Sequence, residues 1–266
     1  MTPIILMIFL WFFVFFTSKT YFSKQIISNN YCLITGATGN VGLALSKQLH
    51  LKGAKLICTG RDESKLLFLK QAYKAITIQF DINDVENFPS AFEQALNEYK
   101  VNQCEVKHVF LNHGYGYFGQ FVKQNNIQRY LQVNQYSFIV LAHYLLQSFS
   151  LNSITITSSC IAYIPSQNYT LYHISKRAIS SFVKSLRKEM KNVNISAVHP
   201  GTINGPFFDH SGMENSQQGI RKLGQYKFFS SSPEYVAKQL IYSAETGKDL
   251  NPSLISKLLK YAQFLQ

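Results

Sequence analysis

The feature that most constrains this chain is a glycine-punctuated turn set between an apolar run and a helical pattern. Tyr31–Thr35 (YCLIT) reads as a buried strand, Thr35–Gly42 spells TGATGNVG, and Val41–Lys52 carries Val41, Leu45 and Leu49 at helical spacing. Glycines in such a turn permit a tight reversal and let the backbone approach a pyrophosphate. The helix start beyond it offers free N–H groups and a positive dipole end to phosphates. Gly36, Thr38, Gly39, Asn40 and Gly42 are therefore candidate dinucleotide contacts.

The same alternation continues along the chain. Lys55–Thr59, Ala75–Phe80, His108–Asn112, Ser153–Thr157 and Asn194–Val198 read as strands. Between and after them, Glu63–Tyr73, Val85–Tyr99, Asn126–Ser148, Leu171–Met190 and Glu234–Thr246 read as helices. Strand–helix alternation predicts right-handed crossovers and an α/β fold, a doubly wound parallel sheet of Rossmann type with helices on both faces. Residues 29–266 are expected to form that domain, ending in an amphipathic helix at about 253–265 that packs on the sheet domain or lies on a membrane surface, with packing favoured.

The first 22 residues stand apart. Ile4–Phe16 (IILMIFLWFFVFF) is unbroken apolar sequence of 13 residues, about 20 Å as a helix against a hydrocarbon core of about 30 Å. Extension from Thr2 to Phe22 includes only one charge, Lys19, which can snorkel. No basic residue precedes Lys19 and no small-x-small cleavage site follows, so a retained membrane anchor over 1–22 is favoured over a cleaved signal or an interfacial helix. Lys19 and Lys24 flank only its C-terminal side, which places the domain in the cytosol, with the endoplasmic reticulum as the expected membrane.

Composition narrows the partners. The net charge of +12 arises from 26 Lys+Arg against only 14 Asp+Glu, in a chain that is only 15% charged. Scarce acids, not clustered bases, make the chain basic, so no nucleic-acid partner is expected. Cys32, Cys58, Cys104 and Cys160 show no CxxC spacing, which indicates neither a metal site nor a redox dithiol. Sequons at Asn168 and Asn194 fall within expected core structure and read as chance matches.

Two further regions carry chemistry. At the end of the second strand, where NAD sites place an acid for the ribose hydroxyls, stand Gly60 and Arg61. A guanidinium suits a 2′-phosphate, and Lys65 one turn on adds a second cation, so NADP(H) is favoured; Asp62 could compete by reaching the ribose. Later, Tyr172 and Lys176 lie four apart on one helix face. A lysine cation near the phenol lowers its pKa and suits it to exchange a proton with an alcohol or carbonyl. Ser159, thirteen residues before Tyr172 and just beyond a strand, can hold the same carbonyl oxygen.

With these motifs in place the chain, over roughly residues 29 to 245, resembles the short-chain dehydrogenase/reductase family. The matches are Thr35–Gly42, Asp81-Ile82, Asn112-His113-Gly114, Asn134, Ser159, Tyr172, Lys176 and Pro200-Gly201. The resemblance implies a tetrad of Asn134, Ser159, Tyr172 and Lys176. In it Tyr172 is the general acid or base, Lys176 also holds the nicotinamide ribose, Ser159 orients the substrate and Asn134 positions a relay water. It further implies adenine contacts from Asp81 and Ile82, a supporting role for Asn112, and cofactor contacts from Gly114, Pro200 and Gly201.

The departures are specific. Glycines at 36, 39 and 42 follow TGxxGxxG, with Asn40 where other members have a glycine. His113 replaces an alanine, Gly205 replaces a threonine or serine, and no clear seventh strand follows the last long helix. The stretches GRDESKLL (60–67) and PEYVAKQLI (233–241) are similar to 3-ketodihydrosphingosine reductases. The expected activity is NADPH-dependent reduction of a ketone on a lipid-like substrate, a 3-keto sphingoid base favoured. A hydroxysteroid or long-chain keto-lipid dehydrogenase and a non-catalytic NADP(H)-binding membrane module are the alternatives. Fold analogy makes a homodimer a candidate assembly.

Overall fold

The computed structural model describes residues 27–204 and 230–263. The expected anchor over 1–22 lies outside them, as do Gly205 and the apolar residues Phe207, Phe208, Phe228 and Phe229. Among the described residues no helix is long and apolar enough to cross a membrane.

Among the described residues six strands form one parallel sheet: β1 (Tyr31–Thr35), β2 (Lys55–Gly60), β3 (Ile76–Gln79), β4 (Val106–Leu111), β5 (Ser153–Thr157) and β6 (Asn194–Val198). Their order is β3-β2-β1-β4-β5-β6. The strands are near-continuous apolar runs because both faces are covered. On one face Leu33, Ile57, Val109 and Ile154 pack with α3 (Phe88–Glu98), α5 (Ser137–Ser148) and α6 (Thr170–Glu189) through Phe88, Phe92, Phe138, Leu141 and Ile179. On the other Cys32, Ile34, Leu56 and Cys58 pack with α1 (Asn40–Leu51), α2 (Glu63–Tyr73) and α7 (Pro233–Thr246) through Leu45, Leu49, Leu69 and Leu240. The order reverses direction between β1 and β4, which opens a crevice at the C-terminal ends of the strands.

Two of the expected helices are divided. The helix expected over 126–148 is divided into α4 (Ile127–Leu131), a π-helical turn (Gln132–Tyr136) and α5. The helix expected from Val85 begins as a 3-10 turn (Ile82–Asn87), and the α-helical part starts at Phe88 with Pro89 in its first turn. The place of a seventh strand is held by a single parallel bridge, Val198 to Leu250, secured by His199 N–H to Leu250 O (2.8 Å) and Leu250 N–H to Ala197 O (3.0 Å). Asp249 beside it accepts Ala197 N–H (2.9 Å) and forms a two-pronged ion pair with Arg187, whose Nε also donates to Ile195 O (2.6 Å).

The C-terminal helix α8 (Leu254–Ala262) is shorter than the expected 253–265 and is capped reciprocally by Ser253 and Ser256. It packs against the 160–162 turn with Ser256 buried, while Leu254, Leu258 and Tyr261 face outward. Asn194, in one of the two sequons, spends its amide on the carbonyls of Ala244 and Glu245, which supports a structural role.

Candidate active site

The glycine turn is built by close approach. Gly36 has φ +64°, and a Cβ there would lie 2.7 Å from His113 Cα; a Cβ on Gly42 would lie 2.3 Å from Gly36 O. Neither neighbour is a side chain that could swing away. Gly39 is the N-cap of α1 with extended backbone and no side-chain cap, which leaves first-turn N–H groups to an anion. Asn40 is the first residue of α1 and its φ is not positive, so the turn asks no left-handed backbone of it. The cradle therefore fits a dinucleotide pyrophosphate, and Asn40 costs it no backbone strain.

At the end of β2 the Thr38 side chain occupies the space a Cβ on Gly60 would need, 2.6 Å away. Asp62 is committed elsewhere: it caps α2, accepting Lys65 N–H (3.1 Å) and the Ser64 hydroxyl (2.7 Å), and pairs with Lys65 Nζ (3.1 Å). The Ser64 hydrogen bond, with those from Lys65, holds its carboxyl down at about 2. Lys65, read as a second phosphate cation, is thus already paired with Asp62, whereas Arg61 is exposed and near Tyr115. Asp81 is also engaged: one oxygen accepts Asn83 N–H (3.0 Å) and the other pairs with Arg129 (3.2 Å), a partner that sequence reading did not single out. Ile82 packs against the core beside it.

The tetrad residues converge on the crevice. Asn134 lies in the π-helical turn, fully buried; its Oδ1 accepts Tyr115 N–H (3.0 Å) and its Nδ2 donates to Tyr130 O (3.2 Å). Gly114, with φ +134°, makes that approach feasible: a Cβ there would stand 2.8 Å from Asn134 Oδ1 and 3.6 Å from Lys176 Nζ. Lys176 Nζ donates to Thr157 O (3.1 Å) and sits 5.1 Å from the Phe138 ring centre and 5.9 Å from that of Tyr172. Ser159, at the end of β5, is hydrogen-bonded to the Tyr172 phenol and accepts Ile161 N–H (3.3 Å). Asn112 joins three strand ends: it donates to Gly36 O (3.4 Å), accepts the Thr157 hydroxyl (2.9 Å), and its N–H reaches Thr35 Oγ1 (3.1 Å). Pro200 O accepts Cys160 N–H (2.8 Å), and Gly201 sits so close to Ser253 that a Cβ would lie 2.6 Å from its Oγ.

The electrostatics differ from expectation at one point. Burial pushes the Tyr172 phenol above its usual pKa, and the Ser159 hydrogen bond offsets this only in part. Burial also lowers Lys176 to about 8, which leaves it largely cationic near neutral pH, 5.9 Å from the Tyr172 ring centre. A neutral, hydrogen-bonded phenol is the form that can donate a proton. Around it Tyr115, Tyr117, Tyr130 and Tyr169 form an aromatic wall with Leu171 packed among them, and Tyr115 and Tyr130 are in edge contact at 5.1 Å.

Comparison with known proteins follows the same outline. The profile of the short chain dehydrogenase family matches residues 30–215. A Dehydrogenase/reductase SDR family protein 7-like of Dictyostelium discoideum is 28% identical over 217 residues, covering 74% of this chain and 66% of that protein. A Hydroxysteroid 11-beta-dehydrogenase 1-like protein of Xenopus tropicalis is 29% identical over 235 residues, covering 85% of this chain and 79% of its own. A short chain dehydrogenase/reductase from Burkholderia phymatum, solved in complex with NAD, superposes with TM-score 0.76 at 17% identity, over 85% of this chain and 90% of that one.

Proposed function

The chain belongs to the short-chain dehydrogenase family, and on that premise we propose that it is an NADPH-dependent reductase of a ketone carried on a lipid-like substrate. The observation that carries the reading is the convergence of Asn134, Ser159, Tyr172 and Lys176 at the strand ends beside the glycine cradle. A nicotinamide dinucleotide, when bound, supplies the hydride.

The chain's own residues do the rest. Ser159 Oγ and the Tyr172 phenol together hold the carbonyl oxygen, and Tyr172 gives it the proton. Lys176 carries charge beside the phenol, and Asn134 orients the water that returns the proton. Arg61 supports NADP(H) over NAD(H), because Asp62 is spent on its cap and on Lys65. The aromatic wall supports an apolar substrate.

Within that class a 3-keto sphingoid base is our preferred substrate, on the GRDESKLL and PEYVAKQLI stretches. A keto- or hydroxysteroid is the second reading, favoured by the Xenopus tropicalis relative's name. The apolar run Ile4–Phe16 supports a membrane-anchored protein with its domain on the cytosolic side, the endoplasmic reticulum first. No nucleic-acid partner enters the proposal, and a homodimer enters only by fold analogy.

The test is NADPH and NADH oxidation with 3-ketodihydrosphingosine, 3- and 17-ketosteroids and a 3-ketoacyl thioester. Turnover of one of the lipid ketones with NADPH preferred supports the reading. NADPH binding without turnover of any of them replaces it with a dinucleotide-binding module.

A further inference from the structure

His113 stands where the resemblance to the family leads one to expect an alanine, and both of its ring nitrogens and one ring face are engaged. It is buried, stacked on Phe138 at 4.0 Å, with Nδ1 2.7 Å from Thr35 Oγ1 and Nε2 2.8 Å from Ser137 Oγ. The surrounding bonds fix its tautomer. Ser137 Oγ lies 2.9 Å from Val133 O, an acceptor only, so the serine proton goes there and the serine oxygen accepts Nε2–H. Nδ1 is then a lone pair and takes the Thr35 hydroxyl proton, while Thr35 Oγ1 accepts Asn112 N–H. The result is one directed chain from the end of β4, through β1 and His113, into the π-helical turn.

That turn holds Val133 and Asn134 side by side. Tyr115 N–H grips Asn134 Oδ1, and His113 grips the same turn through Ser137 and Val133 O. Residues 113–115 therefore hold the turn at two points. The Phe138 ring under His113 is also the ring over which Lys176 Nζ sits. Burial and the nearby Lys176 cation hold His113 down at about 3, so the ring stays neutral and keeps a single N–H to give.

We propose that His113 is a positioning residue for the reaction: through Ser137 it holds the π-helical turn that aims Asn134, and through Phe138 it seats Lys176. The kinetic part of this rests on the reductase reading above; the structural part does not.

The experiment uses the full-length chain with four variants: His113→Ala, His113→Gln, His113→Asn and Ser137→Ala. Glutamine reproduces the donor at Nε2, whereas asparagine reproduces only the acceptor at Nδ1. With the ketone turned over fastest in the panel, His113→Ala is expected to lower kcat about 10- to 100-fold, the scale of a misplaced catalytic group, with little change in NADPH affinity. His113→Gln is expected to recover most of that loss and His113→Asn little of it. Ser137→Ala is expected to reproduce the alanine defect, and it reports on the contact even where His113→Ala fails to fold. In parallel, hydrogen–deuterium exchange of the Tyr115 amide and of residues 132–137 is expected to speed up in His113→Ala and to be restored in His113→Gln. Wild-type kcat in both His113→Ala and Ser137→Ala overturns the proposal, as does equal rescue by glutamine and asparagine. If the wild type reduces no ketone, the reductase reading falls, and the exchange data alone decide: unchanged protection at Tyr115 overturns the positioning role.

Discussion

Replacing Gly42 by alanine is a direct test of the cradle. The added Cβ would lie 2.3 Å from Gly36 O and 2.7 Å from Ala37 Cα, against ordinary contacts of 3.4 Å and more. Both obstacles are backbone, so relief must come from opening the turn between β1 and α1. Overpacking of this kind costs about 1–3 kcal/mol, which for a domain of this size lowers Tm by roughly 2–12 °C. Opening the turn also moves the first-turn N–H groups of α1. The loss of one charge-assisted bond to phosphate, about 1.5–3 kcal/mol, corresponds to a roughly 10- to 150-fold rise in Kd. The control is Gly39→Ala, whose Cβ would meet nothing nearer than Gly36 O at 3.5 Å. Its Tm is expected to fall by no more than about 4 °C, since alanine loses the N-cap preference of glycine, roughly 1 kcal/mol at most, and meets no steric clash. Differential scanning fluorimetry and NADPH titration by fluorescence read both quantities. A Gly42→Ala protein with wild-type Tm and wild-type NADPH affinity refutes the cradle geometry.

Other outcomes follow from single groups. Arg61→Ala is expected to weaken NADPH binding roughly 10- to 150-fold, the value of one charged hydrogen bond, and to leave NADH binding unchanged; equal effects on both remove Arg61 as the selector. Burial holds His113 at about 3 and His199 at about 4, below the ordinary histidine value of 6.5. The unfolded chain therefore binds more protons across that window, and the stability present above about pH 6.5 is lost as the pH falls, by up to about 1.4 kcal/mol per pH unit per group. Urea midpoints taken between about pH 7.5 and pH 4.5 should be flat and then decline; a rise on acidification contradicts this. Arg187→Met leaves the half-buried Asp249 without its partner at the β6 edge and is expected to cost about 2–3 kcal/mol, less than a fully buried pair. A thermal midpoint equal to wild type would show that the Leu250 bridge holds that edge alone.

The architecture was legible because its signals are local. β5 and β6 fall where their β-branched runs stop, and α2 runs over the predicted Glu63–Tyr73. Ser159, Tyr172 and Lys176 could be placed from spacing, since a strand end and one helix face fix their directions. What escaped depends on contacts distant in sequence. The π-helical turn (QVNQY) has no glycine or proline to mark it, and His113 meets Thr35 and Ser137, 78 and 24 residues away. Lys65 was read as free for phosphate, but its position three residues after a helix-capping aspartate pairs it with Asp62. The Tyr172 phenol was expected to be lowered by Lys176, but its own burial, offset only in part by Ser159, raises it, and burial is something that spacing does not encode.

The central claim is that Tyr172 donates the proton, and Tyr172→Phe tests it most directly. The substitution removes one hydroxyl and keeps the ring, so NADPH affinity and Tm are expected to stay near wild type. Single-turnover reduction of the best ketone of the panel is expected to slow by about 10²- to 10⁴-fold, the range for loss of a general acid. Reduction at the wild-type rate by a folded, NADPH-binding Tyr172→Phe protein would contradict the account.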